Sequence, residues 1–286
     1  MSQTLYPPAA PQSIGQVLDS AFRIFKVSLV PCLLYGAVAI IAGQLQNIYT
    51  IAAGKPLRSF NGRDPVWIAL YAAGAITSLV MAIALVLRQR DIATGARRGT
   101  SIELSEAIRR LPGLLGLIIL CLLLVGVGPL ILGGVYALMG PTAAGYTTLG
   151  ALFLIMLAPL TYVLTPLSLV TSAFVLDGAS PLEAIRYVFR LIKGCWWRTS
   201  TIFTVAMVIT IVFYAVAAVV IGVVVSLTGA AADFAAVTAA TGVVYVVLGG
   251  VGMPFFAAIV LAVYGELKVR RGGLDLEQRI ADAVQT

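Results

Sequence analysis

Long uncharged runs alternate along this chain with short charged stretches. The run from Leu111 to Leu176 carries no charge, and neither do those from Thr199 to Ala232 and from Phe234 to Gly265. A helix crossing a bilayer needs about 20 apolar residues. The first run therefore has room for two spans, and each of the others holds one long span. Two earlier stretches, 30–51 and 65–87, add two more. The expected fold class is all-α and polytopic, with six transmembrane helices near residues 30–51, 65–87, 112–138, 149–176, 199–227 and 235–265. These spans sit in a membrane domain of residues 13–265. Residues 1–12, MSQTLYPPAAPQ, have neither a basic start nor an apolar run, so they read as a disordered lead and not as a signal peptide. Residues 266–286 read as a basic cytoplasmic tail with a short final helix, starting after Gly272-Gly273 and capped by Asp275 and Gln278.

Between the spans the pattern changes to helical amphipathicity, most clearly over residues 180–203. Ser180, Pro181 and Glu183 predict a helix start: a hydroxyl cap, a proline in the first turn and a carboxylate three residues on. Leu182, Ile185, Phe189, Ile192 and Trp196 follow at spacings of three and four, with Arg186, Arg190 and Lys193 on the adjacent arc. A helix so patterned can lie at a membrane surface, its apolar side in the acyl boundary and its arginines at head-group level. Two weaker versions of the theme precede it. Ser13 and Gln16 open a helix with Ile14, Val17, Leu18, Ala21 and Phe25 on one side and Asp19, Arg23 and Lys26 on the other. Thr100 and Glu103 predict a further capping box, followed by Glu106 and Arg109 one turn apart. An acid, alanine, apolar residue and arginine recur in all three, around Arg23, Arg109 and Arg186. A threefold parallel internal repeat is therefore a further expectation.

Composition sharpens the membrane reading. Hydrophobic residues make up 60% of the chain and charged ones 11%, against roughly a quarter charged in soluble domains. The net charge of +7 is unevenly placed, because Lys55, Arg58 and Arg63 are the only cations outside the amino-terminal helix, residues 88–110, residues 178–198 and the tail. Basic residues favour the cytoplasmic side of a membrane. Both termini are expected there, with the GKPLRSFNGRDP loop and its Asn61-Gly62 turn outside. The basic excess fits insertion and anionic lipid, so nucleic acid is not an expected partner.

Candidate chemistry is sparse. The chain has no histidine and three scattered cysteines, and no spacing suits a metal site, a nucleophile elbow or a phosphate loop. No cofactor and no catalytic activity are expected. Gln44, Gln46 and Asn47 suggest an amide-rich interface turn, and Trp67 and Tyr71 an aromatic belt. Pro129, Pro159, Pro166 and Pro254, with Gly249, Gly250 and Gly252, predict kinked or closely packed helices. Gly74 with Ser78, and Ala218 with Gly222, suggest close contacts. Asp233 reads as a solvated turn carboxylate.

The run YGELKVRRGGLDLE at residues 264–277 resembles the carboxy-terminal signature of the glycerophosphoryl diester phosphodiesterase membrane-domain and YciC-like family of bacterial integral membrane proteins. Glu266, Leu267, Lys268, Arg270, Gly273, Asp275, Leu276 and Glu277 fit it, whereas Gly265 replaces an aromatic residue and Gly272 a glutamate. Pro181-Leu182-Glu183-Ala184, Lys193-Gly194 and Trp196-Trp197 are similar to the family's link between the fourth and fifth spans. The resemblance implies a six-span bacterial inner-membrane protein. It brings no phosphodiesterase domain, for which the loops leave no room.

Two functional expectations follow. The first is a non-enzymatic inner-membrane protein, with a role in envelope or lipid homeostasis, that meets anionic lipid or a membrane-protein partner through Arg23, Arg109, Arg186, Arg190, Lys193 and Arg270. The second is a transporter or exporter of a small or lipid-like solute, with a polar cavity near Pro166 and Pro254.

Overall fold

The structure, a computed structural model, describes residues 5–53, 64–96, 98–140, 142–227 and 234–285. Asn61-Gly62, the three outer-loop cations and Asp233 lie outside these residues. The described helices are α1 (Ile14–Gly43), α2 (Leu45–Ala52), α3 (Pro65–Thr94), α4 (Thr100–Met139), α5 (Ala143–Asp177), α6 (Pro181–Ile192), α7 (Trp196–Leu227) and α8 (Phe234–Gln285). There is no strand among the described residues. Six helices, in α1, α3, α4, α5, α7 and α8, are long and apolar enough to cross a membrane. The chain has the build of a multi-pass membrane protein.

The predicted helix starts mostly hold. Ser13 and Gln16 close a capping box on α1, and the Asp64 carboxylate accepts from the N–H groups of Val66 and Trp67 ahead of Pro65 on α3. Several boundaries differ from the sequence reading. The first amphipathic segment and the first span are one helix, which passes through Pro31 and breaks only at Gln44. There Asn47 donates to Gln44 (2.6 Å) and Gln46 to the Gly43 carbonyl (2.9 Å), the local amide turn that was expected. The short tail helix is instead the end of α8, which runs unbroken through Gly272-Gly273. A helical glycine costs about 1 kcal/mol against alanine, too little to end a helix that is already propagating.

The chain divides into two compact units. The first combines Met1–Arg109 with Thr204–Glu266, and its core is built from α1, α3 and α8. Val17, Ala21, Ile24, Tyr35 and Ala39 of α1, Ile83, Ala84 and Leu87 of α3, and Ala258 to Tyr264 of α8 are buried. The backbones approach closely where glycine permits. A Cβ on Gly36 would fall 2.6 Å from the Gly250 carbonyl oxygen, so α1 and α8 touch main chain to main chain. The Ser78 hydroxyl likewise donates to the Ala39 carbonyl at 2.7 Å, beside Gly74 packed on the Ala42 backbone. The other suggested small pair makes no close contact among the described residues, where Ala218 is exposed and a Cβ on Gly222 would meet nothing within 4 Å.

The described part of the lead, residues 5–12, meets the rest of the first unit. Leu5 and Tyr6 both donate their N–H to the Ala93 carbonyl (2.8 and 3.2 Å), satisfying an acceptor in the last turn of α3. The Tyr6 ring lies against Gly265, where a Cβ would be 2.5 Å from it.

The second unit combines Arg110–Phe203 with Leu267–Thr286. Leu114 and Leu117 of α4, Leu169, Val170 and Ala173 of α5, Ala184, Val188 and Leu191 of α6 and Ile202 of α7 are buried. Phe174 packs over Gly113. The end of α5 is finished by side chains from elsewhere in the unit. Arg110 donates to the carbonyls of Phe174 (3.1 Å) and Val175, and Lys268 pairs with Asp177 at 2.8 Å. Gly178, at φ 68°, then turns the chain toward α6.

Candidate functional site

The expected interface residues fall into both units and are described within each. In the second unit α6 presents three sides. Ala184, Val188 and Leu191 face inward, where α5 packs against the helix. Leu182 stays 48% exposed and Ile185 and Phe189 half-buried. At about 100° per residue, the arc of Leu182, Ile185 and Phe189 lies next to the arc of Arg186, Arg190 and Lys193, all three exposed. The sequence placed a single apolar stripe on this helix. The structure shows two apolar sides, one spent on packing and one left accessible beside the cations. The helix start is fixed by Glu183, whose Oε2 accepts from the Ser180 hydroxyl (2.7 Å) and the Ser180 N–H (3.1 Å). These bonds, with Arg186 nearby, hold its carboxyl below the usual carboxylate range. Trp196 donates its indole N–H to the Tyr162 carbonyl at 3.2 Å, so its ring is anchored and Trp197 is the 80% exposed one. Arg270, on α8, is half-buried and has partners of its own.

In the first unit, Arg23 is exposed on α1 beside Asp19 and Lys26, and Arg109 is exposed on α4. They stand on separate helices. Arg109 lines an open cleft of about 420 Å³ with Ser101, Ile102, Ser105 and Glu106. The other described cations of the α3–α4 connection are committed within the unit. Arg90 forks onto Asp91 (2.8 and 3.1 Å), and Arg98 lies 3.6 Å from Asp91 and 3.4 Å from Glu106.

The group that sequence reasoning missed is centred on Glu103. Its carboxylate is fully buried, accepting from Arg88 at 3.0 Å on one oxygen and from the Tyr35 hydroxyl at 2.7 Å on the other. Arg88 also donates to the Arg98 carbonyl at 3.2 Å. The predicted capping box of Thr100 and Glu103 is therefore corrected. Gly99 supplies the first carbonyl of α4, accepting from Ile102 and Glu103 N–H, while the Glu103 side chain turns inward to α1 and α3. A buried carboxylate needs a cation and hydrogen bonds, and Arg88 and Tyr35 provide both. Next to Arg88 on α3, Gln89 is wholly buried and donates to Ser28 (3.1 Å) and to the Pro254 carbonyl (2.7 Å), its Oε1 having no protein partner. Only the pairing of an isolated charge after one span with another before the next could have flagged Glu103 in the sequence.

Among the described residues no three of the Cys, Asp and Glu side chains gather as a metal site requires. Compared with known protein families, curated proteins and solved structures, the chain gives no match. The functional reading rests on geometry and charge.

Proposed function

We propose that this chain is a non-enzymatic protein of the bacterial inner membrane, with both termini in the cytoplasm, that engages anionic lipid through its surface helices. The observation that carries this reading is the outer surface of α6, where accessible Leu182, Ile185 and Phe189 adjoin exposed Arg186, Arg190 and Lys193. A helix held on one side by packing, with an apolar arc and a basic arc both left open, fits the boundary between acyl chains and head groups. Each such cation near an anionic leaflet contributes on the order of 1 kcal/mol. The distribution of lysine and arginine supports the sidedness. The 264–277 and 181–197 motifs support membership of the YciC-like membrane-domain family and a role in envelope or lipid homeostasis. The test is native mass spectrometry of the full chain purified in mild detergent. R186Q/R190Q/K193Q should co-purify with less anionic lipid than the wild type, and an unchanged lipid complement would refute lipid engagement through α6.

A second reading, transport of a small or lipid-like solute, is favoured by Gln89, a buried amide against the proline-broken turn of α8 with one oxygen unsatisfied. A polar group buried between packed helices and left partly unpaired is costly, and in membrane proteins such groups mark pathways. Transport requires water to reach this position. With Cys32, Cys121 and Cys195 replaced by alanine, Q89C should react with a membrane-impermeant maleimide from one side. A thiol inert from both sides would exclude the pathway.

A further inference from the structure

Four residues of the first two turns and a half of α4 share one cleft, and their chemistry is more specific than a basic surface. Ser101, Ser105 and Arg109 are spaced four apart and so fall on one side of the helix, lining the open cleft together with Glu106. Arg109 is the cation left over. Its described neighbours in the α3–α4 connection, Arg88, Arg90 and Arg98, are held by Glu103, Asp91 and Glu106, and Arg110 caps the end of α5. The Arg98 guanidinium lies 3.4 Å from Glu106 and offsets that carboxylate's charge. Among the described residues the cleft thus offers one net positive charge, two hydroxyls beside it and a carboxylate one turn back. It also lies at the point where the chain becomes uncharged, beginning at Leu111, which is head-group level for a span.

We infer that this cleft binds the head group of a monoanionic, hydroxyl-bearing phospholipid, of which phosphatidylglycerol is the type. The phosphodiester sits on Arg109 and the Ser101 and Ser105 hydroxyls, and the terminal hydroxyls of the head group donate to Glu106. A zwitterionic head group is a poorer match, because the cleft carries an uncompensated positive charge and its carboxylate already has a cation. The inference rests on the reading that the chain engages anionic lipid, but it concerns a different surface from α6.

The experiment adds dioleoyl phosphatidylglycerol or dioleoyl phosphatidylethanolamine to the delipidated full chain in neutral detergent and counts bound lipids by native mass spectrometry. One phosphatidylglycerol should bind the wild type about tenfold more tightly than it binds R109Q, the loss expected for one charge-assisted phosphate contact. R109K should recover part of that difference, S101A/S105A should show a smaller loss, and R186Q/R190Q/K193Q should keep this lipid. Equal binding of phosphatidylglycerol to wild type and R109Q would overturn the cleft while leaving α6 standing. Equal binding of the two lipids to the wild type would overturn the head-group assignment. Displacement of the lipid by millimolar inorganic phosphate would show an anion site and overturn it as well. Loss of lipid in the α6 variant with R109Q unaffected would place the engagement at α6 alone.

Discussion

Arg88 Nη1 lies 3.0 Å from Glu103 Oε1, across the whole turn that joins α3 to α4, and the Glu103 side chain has no exposed surface. Tyr35 holds the other carboxylate oxygen at 2.7 Å, so three helices of the first unit meet on one carboxylate. Removing a single partner leaves a buried charge without its counter-charge. R88M should destabilise the chain by about 3 kcal/mol, the lower end for breaking a buried pair, because the Arg88 side chain is 28% exposed. Y35F removes one hydrogen bond to a charged acceptor and should cost about 1.5–2 kcal/mol. The R88M/E103L double variant should cost less than R88M plus E103L, since the two act on one interaction. Thermal unfolding of the purified full chain in mild detergent measures all four. Additive losses would mean that the pair does not hold α4 in place.

The contact of α1 with α8 makes a second prediction, because it runs through backbone and not through side chains. An alanine at Gly36 would put its Cβ 2.6 Å from the Gly250 carbonyl oxygen, and neither helix can yield by a rotamer change. G36A should therefore cost about 1–3 kcal/mol, the range for overpacking. G222A is the control, with nothing within 4 Å of the added methyl, and it should be neutral or slightly stabilising through helix propensity. Comparable losses in both variants, read as thermal midpoints, would show that helix propensity and not the close approach decides.

These two sites illustrate what the sequence could and could not disclose. The apolar runs are long and the cap residues are specific, so Ser13 and Ser180 mark helix starts as expected. The faces of the helices are harder to read. In a span, lipid-facing and core-facing positions are equally apolar, so periodicity does not separate Ile76, 46% exposed, from Ile83, fully buried. On α6 the same ambiguity merged two apolar sides into one. Glu103 was misread for a different reason. A Thr followed three residues later by Glu satisfies the local capping pattern, and nothing local reveals an arginine and a tyrosine on other helices.

The amino-terminal lead yields a third prediction. Leu5 and Tyr6 N–H both point at the Ala93 carbonyl, and the Tyr6 ring covers Gly265. A chain lacking residues 2–12 would leave this carbonyl in the last turn of α3 without its protein donors and uncover Gly265. The truncated chain should lose about 1–2 kcal/mol, the scale of a lost hydrogen-bonded cap with some packing. Hydrogen exchange should quicken in the last turn of α3 and around residues 262–268 of α8. G265A should reproduce the α8 effect in the full-length chain, since its methyl meets the Tyr6 ring. Unchanged exchange at both places would show that the lead contributes nothing to holding them.

The start of α6 responds to pH in a direction fixed by Glu183. Its carboxylate accepts both the hydroxyl and the N–H of Ser180, bonds that favour the charged form and lower its pKa from the ordinary value, with a smaller contribution from Arg186. A carboxyl whose pKa is depressed by folding adds stability that is complete above the unfolded value and is lost as pH falls through the folded one. The first turn of α6 should accordingly hold steady from neutral pH down to the usual carboxylate range and fray only below it. Because Glu183 is exposed, the effect should be confined to this turn and weaken with added salt. S180A removes both the hydroxyl donor and the cap, so the Glu183 pKa should rise toward its ordinary value and fraying should begin at higher pH. E183Q should abolish the pH dependence while keeping an acceptor for the Ser180 N–H. Amide exchange of residues 181–185, followed against pH in detergent, separates these cases. A Glu183 titration that does not move in S180A would remove Ser180 as its cause.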